Sequence, residues 1–131
     1  MFKKLIIIAV VVLVGGVIFM PEITATMART ALKPENQSKQ WAPGMAYKAA
    51  TINLRLFRFN TAAAILDRSI KAWPKADWVP EAHYQHALAY EKMEKGEEAI
   101  GLYKNFVAKY PTHKWKDQAN KRVVNIQANL P

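Results

Sequence analysis

The chain has 131 residues, 51% apolar and 22% charged, with nineteen Lys and Arg against ten Asp and Glu and no cysteine. That length suits one domain. The absence of cysteine excludes a disulfide framework, a thiolate metal site, a cysteine nucleophile and a lipid-modified cysteine among these residues. Five glycines without a Gly-rich phosphate loop argue against a nucleotide cradle.

Met1-Phe2-Lys3-Lys4 precedes sixteen uncharged residues, Leu5 to Met20, and Pro21 and Glu22 follow. As a helix this run spans about 24 Å, against a hydrocarbon core of about 30 Å. Phe2 and the snorkelling Lys3 and Lys4 extend it towards a full span. Residues 1–21 are therefore expected to be a transmembrane anchor. A cleaved signal peptide is the competing reading, with Ile23-Thr24-Ala25 and Thr26-Met27-Ala28 as imperfect cleavage sites. Lys3 and Lys4 hold the short end in the cytoplasm in either case, so the remainder is exported. The expected location is the bacterial inner membrane, single-pass, with the C-terminal domain in the periplasm.

Residues 22–40 read as a linker. Ile23, Met27 and Leu32 allow a short continuation of helix, and Lys33 to Gln40 is almost wholly polar around Pro34. Such a segment reads as a tether, reaching roughly 25 Å when extended.

The rest of the chain, 41–131, repeats itself. Trp41, Trp78 and Trp115 stand 37 residues apart, and laying residues 38–74 over 75–111 aligns Trp41/Trp78, Pro43/Pro80, Tyr47/Tyr84, Ala50/Ala87, Ala62/Ala99 and Pro74/Pro111. Residues 112–131 begin the unit again, with Trp115 and Ala119 matching Trp78 and Ala82. Small residues recur where helices must touch, and prolines where helices start or stop. A period of this size signals a helical solenoid.

Each unit reads as helix–turn–helix. In the first, one helix covers about 43–58, a break falls at Phe59-Asn60 with Asn60 as N-cap, and a second covers about 61–72. In the second unit, Ala82, His86, Ala87, Tyr90 and Met93 keep a helical period from Pro80 to a break at Lys95-Gly96. Glu97 and Glu98 then open a helix whose positive dipole end favours acid, and Ala99, Leu102, Tyr103, Phe106 and Val107 form its apolar stripe. A last helix, about 116–129, lacks a partner and reads as a polar-faced cap.

These landmarks resemble the tetratricopeptide repeat. Ala87, Tyr90, Ala99, Tyr103 and Pro111 carry the spacing of its small, aromatic, small, aromatic and proline positions. The 37-residue form is similar to repeats of bacterial envelope proteins, such as the coordinator of the Tol–Pal system and the outer-membrane assembly lipoprotein. Two departures stand out: Glu94 occupies a position where the motif prefers glycine, and no cysteine is available for lipid attachment. The first unit is degenerate, with Asn53 and Leu66 at the two aromatic positions. The resemblance implies an all-α fold: a right-handed solenoid of helical hairpins, about two and a half repeats, behind an N-terminal transmembrane helix.

It also implies a partner-binding groove lined by the first helix of each pair. Carried over, those positions are Tyr47, Thr51, Leu54 and Arg55, then Glu81, Tyr84, Leu88, Glu91 and Lys92, then Lys121 and Asn125 on the cap. Tyr84 has an alternative reading as packing against the preceding repeat. Trp41, Trp78, Trp115, Ala50, Ala87, Tyr90, Ala99 and Tyr103 are expected to pack the repeats together, with Trp78→Ala costing about 3–5 kcal/mol if the indole is buried.

No Ser/His/Asp spacing or paired buried carboxylate suggests catalysis. His83 and His86, three apart on one helix, lack an obvious third ligand, so no metal or other cofactor is expected. Leaving out Lys3 and Lys4, seventeen basic residues against ten acidic ones give +7. That charge suits anionic headgroups or an acidic partner, and export disfavours nucleic acid. The expectation is a non-enzymatic, membrane-tethered interaction module, an accessory or scaffold subunit of a larger inner-membrane assembly. Its partners would be other protein subunits, with the bilayer contacted through residues 5–20. A free periplasmic adaptor in envelope maintenance or cell division is the alternative.

Overall fold

Alternating small and large side chains at helical spacing give six α-helices and no strand in the computed structural model, which describes residues 1–131. They are α1 (Phe2–Ala31), α2 (Ala42–Arg55), α3 (Phe59–Ala72), α4 (Val79–Lys92), α5 (Gly96–Lys109) and α6 (Lys116–Asn129), with a 3₁₀ turn at Pro34–Asn36 before α2. The helices α2 to α6 are each 14 residues long. The period of 37 in the sequence reappears in the helix starts at 42, 79 and 116, and at 59 and 96. Each helix packs chiefly against its neighbours in sequence, which is solenoid organisation.

Pro43 and Pro80 occupy the second helical position of α2 and α4, where no N–H donor is needed. Ala46, Ala49, Ala50, Ala82, Ala87, Ala99 and Ala119 are all fully buried at helix–helix contacts. A methyl group there lets backbones approach closely, so the small residues set the repeat geometry. Asn60 does not cap α3: the helix begins at Phe59, and no helix in the chain has a side-chain N-cap bond. The first turn falls at residues 56–58, earlier than expected, because Phe57 takes the left-handed conformation that Glu94 takes in the second repeat.

The N-terminal region differs most from the sequence reading. The helix α1 runs unbroken through Pro21, and Thr24, Ala28 and Ala31 are buried against the repeats. Pro21 cannot donate to the preceding turn, and its own carbonyl accepts from Thr24 Oγ1 at 3.0 Å. Ala31 packs with Ala42 and Ala46, and Ala28 and Leu32 share a core with Ala49, Ala50, Ile65 and Leu66. The end of the apolar helix thus serves as the first layer of the stack.

Residues 33–40 are not an extended tether. Asn36 Nδ2 donates to the Thr30 carbonyl at 2.8 Å, and Gln37 Nε2 to the Leu32 carbonyl at 3.1 Å. Trp73 Nε1 donates to the Gln37 carbonyl at 2.9 Å, fastening the connection to the end of α3. Polar side chains that read as solvated are spent on capping α1.

Candidate functional site

The tryptophans and tyrosines of the repeat form a recurring joint. Tyr47 stacks on Trp78 with centroids 5.0 Å apart and planes 6° from parallel. One period later Tyr84 meets Trp115 at 4.9 Å. Each tyrosine of a first helix therefore reaches the tryptophan that opens the next one. Trp41 has no such partner and is 45% exposed, so it does not wedge a junction. Trp73 does the corresponding work at the first layer, edge-on to Trp78 and packed near Ala31, Ala42 and Ala46.

This joint redefines the expected groove. Tyr84 is only 5% exposed, enclosed by Tyr103, Phe106 and Trp115. It is neither a groove anchor nor packed on the preceding repeat; it packs on the helices that follow. Its hydroxyl accepts from Arg122 Nε at 2.9 Å. Glu91, also expected in the groove, is clamped: Arg122 Nη1 donates to its two oxygens at 3.0 and 3.1 Å, and the Tyr103 hydroxyl donates to Oε2 at 2.6 Å. Burial first, and then the neighbouring Glu91 carboxylate, push the Tyr103 hydroxyl far above the ordinary phenol range, so it stays protonated as the donor. The network joins α4, α5 and α6 and leaves Glu91 little capacity for a ligand.

Glu81 is held by His113. The imidazole Nδ1 accepts from the Trp115 amide at 3.1 Å, which leaves Nε2 to donate to Glu81 Oε1 at 3.3 Å. Thr51 Oγ1 donates to its own helix at the Lys48 carbonyl, 2.9 Å away. Tyr47 and Leu54 are half-buried against the first core, and Leu88 is half-buried on α4. Arg55, Lys92, Lys121 and Asn125 are exposed.

Two clefts remain open near the cap helix. One, about 420 Å³, lies between the α4–α5 turn and α6 and brings Glu91, Glu94, Asn125 and Asn129 together over Ile126 and Leu130. Gly96 permits that closeness, since a Cβ there would meet Ile126 Cγ2 and Leu130 Cδ2 at 3.0 Å. A shallower depression of about 340 Å³ on α6 is lined by Asn120, Lys121, Val124 and Asn125.

The two helical histidines serve packing. His83 lies against Tyr110 at 5.7 Å and His86 edge-on to Tyr90 at 5.2 Å. Burial lowers both imidazoles, aided by Lys109 for His83 and, for His86, opposed by Asp67 and aided by Lys71. No three His, Asp or Glu side chains converge in metal-ligand geometry. Sequence reasoning places Arg122 on the polar outer face of the cap, where the structure turns it onto Tyr84 and Glu91, and Phe59 at the helix break; it passes over Trp73 and Phe57. Comparing the two turns residue by residue would have singled out Phe57, which faces Glu94 in the alignment.

Residues 39–120 match the family model YfiO, described as an outer membrane lipoprotein, and the chain belongs to that family. No curated protein matches the chain. A tetratricopeptide-like helical repeat in an envelope family is a protein–protein interaction module.

Proposed function

We propose that this member of the YfiO outer membrane lipoprotein family is a membrane-anchored scaffold or accessory subunit of a larger inner-membrane assembly, held by its own N-terminal helix. One observation carries the reading: the apolar run and the first packed layer are a single helix, α1. Cleavage after Ala25 would remove the buried Thr24, and cleavage after Ala28 would remove Ala28 as well. The first cut would uncover the surface that Thr24 covers, and the second would also remove Ala28 from the core that α1 shares with α2 and α3. The 18-residue window of highest hydropathy in α1 averages 2.7 and has no buried residue, so the part outside the stack is free to meet lipid. With no cysteine among the 131 residues, that helix takes the place of a lipid attachment.

The partner-binding face follows from what packing leaves free. Leu54 and Leu88 supply partly exposed aliphatic surface, while Lys92, Lys121 and Asn125 supply unpaired polar groups. Apolar area edged by cations suits an acidic amphipathic segment of another subunit.

Intact mass and alkaline extraction of the protein from its native membranes test the anchor. The expected result is a chain that retains residues 1–25 and stays in the membrane pellet. A soluble chain starting after Ala25 or Ala28 would leave the free periplasmic adaptor instead.

A further inference from the structure

The two helical hairpins end in turns of the same backbone and opposite chemistry. Phe57 and Glu94 both sit in the left-handed region, at φ 57° and 61°. The Phe57 amide donates to the Leu54 carbonyl at 3.1 Å and the Arg58 amide to Asn53 at 2.9 Å; Glu94 to Glu91 and Lys95 to Tyr90 repeat this at 3.0 Å. The turn itself asks for nothing aromatic, and a bulky residue at positive φ is an outlier. Yet the first turn reads Arg55-Leu56-Phe57-Arg58-Phe59, where the second reads Lys92-Met93-Glu94-Lys95-Gly96.

Phe57 is 80% exposed, more than any other large apolar side chain that follows α1. Phe59, half-buried, meets it edge-on at 6.1 Å, so the projecting Phe57 ring is a tip standing on an apolar base. Arg55 is exposed, and neither Arg55 nor Arg58 has an ion-pair partner in the protein. Arg58 is half-buried, and its Nη1 is enclosed by protein without an acceptor, so Arg55 is the cation of this turn that faces solvent.

The position of this tip points to its occupant. The short pinned connection makes α1 and α2 antiparallel, with Ala31 against Ala42 and Ala46, and Met27 beside Met45 and Lys48. Both helices advance about 1.5 Å per residue, so the end of α2 returns to about the level of Val17 on α1. Val17 lies in the last turn of the apolar run. The tip therefore stands beside the segment where α1 leaves lipid for water. Its counterpart at Glu94 belongs to the next repeat and carries acid instead.

Resting on the anchored reading of α1, we propose that the α2–α3 tip is a second bilayer contact: Phe57, backed by Phe59, enters the boundary between headgroups and acyl chains, while Arg55 meets the phosphates of anionic headgroups. With α1 as one attachment and the tip as another, the stack cannot swivel about the anchor. The partner-binding face is then presented at a fixed angle to the membrane.

The absence of native cysteine allows a direct test on the full chain. Single nitroxides are placed at Asn60→Cys beside the tip, Glu97→Cys at the equivalent position of the second repeat, and Leu13→Cys within α1, all exposed positions. The protein is reconstituted into vesicles of phosphatidylcholine and phosphatidylglycerol with no other protein. Collision with a water-soluble nickel chelate is expected to be several-fold lower at residue 60 than at residue 97, and lowest at residue 13. Phe57→Glu, which imports the residue the second turn already tolerates, should raise the rate at residue 60 to that at residue 97. Equal rates at 60 and 97 with residue 13 shielded would overturn the tip contact alone and assign the Phe57 ring to a protein partner. Shielding at residue 60 that survives Phe57→Glu would also overturn it. An accessible residue 13 would overturn the anchor, and the tip contact with it.

Discussion

The first hairpin and the second share a backbone and almost nothing of their interiors. Across the 37-residue period, Asn53 stands for Tyr90, Leu66 for Tyr103 and Ser69 for Phe106. The second hairpin fills its core with Tyr84, Tyr103 and Phe106 and locks α6 down through Arg122 and Glu91. The first has smaller residues because other elements bring the bulk: Leu32 and Ala28 from α1, and Trp73 and Trp78 from its own borders. What the two keep in common is alanine at the helix contacts, a tyrosine on the next tryptophan and the left-handed turn. Those fix the solenoid, and the remaining volume is filled by whatever lies alongside.

Exchanging Phe106 and Ser69 breaks the comparison most severely. Phe106 is almost fully buried, so Phe106→Ala should cost about 3–5 kcal/mol by urea titration. The reverse change, Ser69→Phe, adds volume to a filled site and should cost about 1–3 kcal/mol. If Phe106→Ala is harmless, the second core does not depend on its aromatics.

The clamp on α6 comes next. A double-mutant cycle of Glu91→Gln and Arg122→Met should give a coupling of about 1 kcal/mol, modest because both side chains are partly exposed. The first hairpin has no equivalent, so hydrogen exchange should quicken in α6 and remain unchanged in α2. The turns follow: Phe57→Gly and Glu94→Gly should each raise stability by about 1 kcal/mol, because both positions are left-handed. An unchanged melting temperature for both would mean the turns carry no backbone strain.

The smallest expected effect is in pH. His83 and His86 have lowered folded-state pKa values, so as pH falls the unfolded chain takes up their protons first. Stability is therefore fully present above the unfolded value of about 6.5 and declines as pH falls through it towards the folded values. Urea midpoints should drop between about pH 7.5 and about pH 5.5, and the slope should flatten in the His83→Gln, His86→Gln double variant.

The helices were legible because Trp, Pro and Ala recur at fixed spacing, and each of those residues has one structural use at its position. The end of α6 matches the expectation at residue 129, and α3 and α5 end where Trp73-Pro74 and Tyr110-Pro111 stop them. Side-chain direction was less legible. A tyrosine at a groove register, such as Tyr84, turns inward when the next tryptophan offers a face and an arginine two helices away satisfies its hydroxyl. Asn36 and Gln37 look like solvent-facing linker residues because their acceptors are backbone carbonyls, which a sequence pattern does not display. Helix beyond Pro21 was legible in Ile23, Met27 and Leu32, but its docking was not: burial of Thr24, Ala28 and Ala31 joins the anchor and the repeats in one continuous helix.

A rigid passage from apolar run to repeat stack underlies both the anchor and its orientation. Its most direct measurement is the distance distribution between nitroxides at Val12→Cys on α1 and Asn60→Cys on α3, recorded by pulsed electron resonance on the full chain in vesicles. A single narrow distribution is predicted, since α1 is continuous and pinned at Ala28, Ala31 and Gln37. A broad distribution, as a domain swinging on a flexible linker produces, would contradict it.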